Sequence, residues 1–365
     1  MSSEREDGVM PPIYKSVKFD TSDFGFFRNR SNYTAELPFG DEQNPGMVTI
    51  VAEKGQDAQD AASARSIEAV LEGGLGVVIP IAAIADGGSV DVQGQKTDQS
   101  AKIASQITSI ATMVIAENLF SNYTYTDPAT EQSKTGNVAN DLFAGLIVYQ
   151  DRQANRPRLG GSPDRPEARH RAFEFLIGKV IENIQKLRLS EGASTLQVAM
   201  ALPDATGQYP YILQVATIGA RTDVAPVIVA NPTKNTNQAI PVGADPDGNR
   251  NMVEASRLNH LLGVVQIDAF PCGYEFALTT DGYYSAYRDD EAEVSTPPWI
   301  IDLQAMRPGR SGIRPENPDD RTMVHIQLPA HNIRRAWDPM GNNKYQPPTD
   351  TKLEGSVKSW QSRNY

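Results

Sequence analysis

Hydrophobic positions along the chain fall into two textures. Up to about residue 192, short apolar runs alternate with longer stripes at helical spacing; beyond it, short apolar runs are separated by turn residues. Residues 47–52 are rich in β-branched side chains and read as a strand. Residues 57–72 read as a helix: Asp57 is placed to cap it, Ile67, Val70 and Leu71 share a face, and Gly73-Gly74 end it. The continuous apolar run 75–84 suits a strand buried on both faces, with Pro80 implying an edge, a bulge or a break. Ile103, Ile107, Ile110, Val114 and Leu119 make one long stripe, so 98–120 is predicted helical. Residues 142–149 read as a second buried strand. A third helix is predicted over 166–189 on the stripe Phe173, Leu176, Ile177, Val180, Ile184 and Leu187.

After Gly192 the predicted strands are 195–202, 209–218, 225–230, 262–270, 273–279 and 323–328, with a short helix over 251–262. Turn signals separate them, among them Pro203-Asp204, Asn231-Pro232 and Asp281-Gly282. The expected fold is therefore α+β: a mixed or antiparallel sheet, about three main helices in the N-terminal half and a β-rich C-terminal half. Residues 1–45 and 304–365 hold few apolar runs and read as extended arms around a body of 46–303. That body divides naturally at residue 192 into 46–192 and 193–303.

Charge sharpens this division. The 365 residues carry 34 Lys and Arg against 45 Asp and Glu, a net charge of −11. From Gln304 to the end, ten basic residues stand against six acidic ones, which leaves −15 on the rest. A basic tail beside an acidic body is built to dock on an acidic surface, its own or a second copy's. The overall acidity argues against a nucleic-acid clamp, because phosphate is repelled by such a field. One cysteine excludes a disulfide scaffold. No apolar run reaches the roughly 18 residues of a membrane span, and the charged start MSSEREDGVM lacks the apolar core of a secretory signal.

Candidate chemistry is sparse. Glu72-Gly-Gly-Leu-Gly76 has glycines like a phosphate loop, but a predicted helix precedes it and a strand follows, the reverse of the order such a loop needs. Asp245, Asp247 and Asn249 open like a calcium loop, yet Arg250 stands where the sharp turn needs Gly and Ser256 where a bidentate Glu is needed. Four histidines, His170, His260, His325 and His331, form no metal-ligand spacing. No nucleophile motif is present, and no metal or cofactor is expected.

These observations lead to the expectation of a self-assembling structural protein without enzymatic activity: a virion or phage component such as a capsid, shell or tail subunit. It would reside in the virion or host cytoplasm, with copies of itself and other proteins of the same assembly as partners, and neither nucleic acid nor membrane. The residues expected to make those contacts are Phe24, Phe26 and Phe27 in the first arm and Arg307, Arg310, Arg314, Arg334, Arg335 and Trp337 in the second. The acidic run Asp289, Asp290, Glu291 and Glu293 is the matching acceptor. Two alternatives stay open. One is a cytoplasmic enzyme with a site around Cys272, His260 and Asp268; the other is a nucleic-acid-binding accessory protein using the basic tail.

Overall fold

The computed structural model of the chain describes residues 14–20, 33–41, 44–53, 60–71, 75–88, 99–143, 148–151, 156–159, 166–187, 192–204, 209–219, 224–232, 237–243, 252–254, 261, 264–282, 320–329 and 333–335. In chain order the strands of its two large sheets are β1 (Tyr14–Asp20), β2 (Tyr33–Asp41), β3 (Asn44–Glu53), β4 (Ala61–Leu71), β5 (Leu75–Ala85), β6 (Leu196–Pro203) and β7 (Tyr211–Ile218). They continue with β8 (Val227–Ala230), β9 (Asn237–Ile240), β10 (Gln266–Cys272), β11 (Glu275–Thr279), β12 (Arg321–Gln327) and β13 (Ile333–Arg335). The helices are α1 (Gln99–Asn118), α2 (Val138–Leu142) and α3 (Pro166–Ile184).

The first sheet runs β1-β4-β5-β6-β7-β10, with β13 also on β5; the second runs β9-β8-β11-β12-β3-β2. Every pairing in both is antiparallel. The two-residue side-chain period sorts each central strand between two cores. On β5, Val77, Ile79, Ile81, Ala83 and Ala85 pack with Ile103, Ile107 and Ile115 of α1 and Phe173, Leu176 and Ile177 of α3. The alternate residues Ala82 and Ile84 pack with Ile50, Phe276, Leu278 and Val324 of the second sheet. The order of layers is thus helices, first sheet, second sheet, and the strands of the middle layer are apolar on both faces, as 75–84 anticipates. Pro80 falls between the stretch of β5 paired with β6 (Ile81 to Ile84) and the stretch paired with β13 (Leu75 to Val77). A residue without an N–H is tolerated at that gap in the ladder.

The expected α+β class is corrected: among the described residues the architecture is β-dominated, and the N-terminal half already holds five sheet strands. Within 57–72, predicted as a helix, Ala61–Leu71 forms β4 instead. The Ala, Glu and Leu content favours a helix, but Ala61, Ser63 and Ile67 turn to the helices while Ala62 and Ala64 turn to the second sheet. Burial on two opposite faces selects a strand with small side chains over a one-stripe helix. The strand predicted over 142–149 is also corrected. Its first residue, Leu142, belongs to α2, capped by Asn137, whose side chain accepts from the Asn140 N–H at 3.2 Å, while its end, Val148-Tyr149, lies in the strand Val148–Asp151. The short helix predicted over 251–262 is contradicted at Val253–Glu254, which pairs as a strand with Ala193–Ser194.

Segments assigned to the arms contribute to the sandwich. β2 pairs along β3, and β12 lies between β3 and β11 at the centre of the second sheet. Among the described residues no helix is long and apolar enough to cross a membrane.

Candidate functional site

Register carries four aspartates to one end of the sandwich. Ala61 pairs with Ala85, so Asp60, just before β4, and Asp86, just after β5, leave the first sheet together. Thr279 pairs with Met323, so Asp281, after β11, and Asp320, before β12, leave the second sheet together. A hydrogen bond joins the two sheets there: the Thr280 hydroxyl donates to Asp60 Oδ2 at 2.7 Å across 220 positions of sequence. The same hydroxyl accepts from the Thr322 N–H at 3.0 Å, and the Thr280 N–H donates to the Thr322 carbonyl at 3.0 Å. Thr280 is thus a clasp between sheets, held beside Asp281.

Backbone bonds fix Asp86 as firmly. Its N–H donates to Thr195 Oγ1 at 3.2 Å. Its carbonyl accepts from the Thr195 N–H at 2.9 Å and from Ser194 Oγ at 2.8 Å. Gly282 follows Asp281 because the chain passes so near Asp320 that a Cβ would meet the Asp320 carbonyl oxygen. Only glycine permits that approach.

Asp86 and Asp281 line a shallow cavity with Thr195, Gln197, Thr279 and Thr280, floored by Ile84, Val224 and Ala225. Asp60 and Asp320 are nearly fully buried, at 1% and 2% exposure, while Asp86 and Asp281 are partly open to solvent. Gln197 is buried; its Nε2 donates to the Ala225 carbonyl at 2.6 Å and its Oε1 has no hydrogen-bond partner. Among the described residues no three His, Cys, Asp or Glu side chains converge closely enough to cage an ion. Oxygen donors suit a hard cation such as Mg2+ or Mn2+. Their sparseness suits one that keeps most of its own water and touches one or two carboxylates. The unpartnered, buried Oε1 of Gln197 in the cavity wall is the mark of a polar occupant. The cavity has room for about one water-sized group, so a hydrated divalent cation does not fit inside it.

The sequence-predicted residues lie elsewhere. Cys272 pairs with Tyr211 at the far end of β7, the opposite end from the aspartates. It is fully buried, its Sγ lies 3.4 Å from the Glu275 carbonyl oxygen, and burial pushes its thiol well up from the ordinary range. It cannot serve as a thiolate nucleophile. Asp268 sits mid-strand opposite Val215, and His260 is outside the described residues. His325 is buried on β12 with its Nε2 3.4 Å from Glu275 Oε2, and His170 is exposed on α3. Arg334 and Arg335 lie on β13, opposite Gly76 and Leu75 of β5. Phe24, Phe26, Phe27, Arg307, Arg310, Arg314, Trp337, Asp289, Asp290, Glu291, Glu293, His331 and the 245–249 turn lie outside the described residues.

Sequence reasoning missed all four aspartates as a group. The available signal was local: Asp86-Gly87-Gly88 and Asp281-Gly282 each end an apolar strand with an acidic residue and a glycine.

No family model matches the chain, and no curated protein matches it. Solved structures do. The serine/threonine phosphatase PstP/Ppp of Mycobacterium tuberculosis aligns over 82% of this chain and 99% of its own, at 12% identity and a TM-score of 0.31. The photosystem II phosphatase PBCP aligns over 88% and 100%, at 10% identity and a TM-score of 0.31. A phosphatase from a pathogenic strain of Toxoplasma gondii aligns over 82% and 96%, at 10% identity and a TM-score of 0.37. The expectation of a non-enzymatic virion component is corrected because its physical premises fail: residues taken for arms supply β2 and β12 to the chain's own sandwich, and four aspartates leave the two sheets at one end, two of them lining one cavity.

Proposed function

We propose that the chain is a hydrolase of phosphate esters that works with divalent cations bound at the aspartate end of the sandwich. One observation supports this reading: aspartates stand at four strand ends on the same end of two facing sheets, and two of them, Asp86 and Asp281, line the same cavity. Four carboxylates would repel an anionic ester, so phosphate can approach only over cations that reverse the local field. Asp86 and Asp281 are placed to hold such a cation. Asp60 and Asp320 are buried behind them, and Asp60 ties the two sheets together through Thr280. A bound cation would supply charge stabilisation and a more acidic water. The chain's part is to fix the carboxylates on rigid strand ends and to keep Thr195 and Thr280 oriented by the bonds already described. The cavity itself has room for about one water-sized group, so cation and ester both lie at its mouth, where Asp86 and Asp281 meet solvent.

The test is hydrolysis of p-nitrophenyl phosphate with Mg2+ or Mn2+, before and after chelation. Activity is expected with the cation and lost with EDTA. Asp281→Asn and Asp86→Asn are each expected to lower kcat/KM at least 100-fold while leaving the circular dichroism unchanged. A cation-independent activity, or one indifferent to both substitutions, would refute the reading.

A further inference from the structure

We draw no further inference here: the strongest candidate, the apolar outer face of the second sheet where Val51, Ile228, Ala277 and Met323 are buried together, carries nothing because nothing among the described residues shows what covers it.

Discussion

Thr280→Val should be among the most damaging isosteric substitutions in this protein. Thr280 is 3% exposed and Asp60 1%. The valine matches the threonine in shape, so packing is preserved and only the hydroxyl is lost. Its bond to the Asp60 carboxyl belongs to the stronger class, about 1.5–3 kcal/mol. The Thr322 N–H loses its acceptor as well, and a buried donor left unpaired costs a further ~1–3 kcal/mol. The surroundings cannot collapse to compensate, because Gly282 already brings the chain against the Asp320 carbonyl. The sum is about 2.5–6 kcal/mol, a large part of the 5–15 kcal/mol that holds a typical domain folded. Thr280→Ser keeps the hydroxyl and loses one methyl, about 1 kcal/mol. Urea unfolding at equilibrium measures both, and comparable slopes would show that the unfolded states match. If Thr280→Val falls within 1 kcal/mol of wild type, or no lower than Thr280→Ser, the clasp does not hold the sheets together.

Three other predictions test separate parts of the structure. Gly178, on α3, has open space where a Cβ would be, so Gly178→Ala should stabilise the protein by ~0.5–1 kcal/mol in the same assay. The hairpin of Asn122–Thr126 and Ser133–Asn137 carries the pair Lys134–Asp127. Lys134 first, then the Ala129 N–H at 2.9 Å, lower the Asp127 carboxyl from 3.8 to about 2. Its folded pKa is depressed, so its contribution is whole above pH 4 and is lost as pH falls toward 2. A carboxyl carbon titrating by NMR near pH 4 would refute the pair. Cys272 should not react with a thiol reagent at pH 8 in the native protein and should react fully in urea, since burial raises its thiol; fast native labelling would contradict its place in the core.

What the sequence made legible, and what it hid, has a physical cause in each case. Long stripes such as Ile103 to Leu119 and Phe173 to Ile184 read correctly as helices because one face of each packs on the first sheet. The runs 47–52, 75–84 and 209–218 read as strands because β-branched residues crowd them on both faces. The segment 61–71 misled because its alanines serve the close approach of two sheets, while in isolation they carry the composition of a helix. The arms misled for a different reason. β12 reads as a strand over 323–328 but stands in a Pro- and Arg-rich tail; in the fold its Val324 and Ile326 join the second core while Met323 packs with Val51, Ile228 and Ala277.

The aspartates are the sharpest case. They stand at 60, 86, 281 and 320, so no spacing rule connects them, and each alone looks like an ordinary turn residue. What joins them is antiparallel register: two hairpin-like pairings, β4 with β5 and β11 with β12, end at the same level of two facing sheets. A site assembled in this way is written in the pairing of strands. The one trace it leaves in the chain is an acidic residue where a buried strand stops, twice followed by glycine. That trace is weak because a solvated turn uses the same residues. The structure removes the ambiguity through burial, since a solvated turn has no reason to seal Asp60 and Asp320 from water or to tie one of them to a threonine of the opposite sheet. Burying carboxyl groups is costly unless they are bonded. Their presence at one end of the sandwich, beside two that remain open to solvent, is the observation on which the proposed cation site rests.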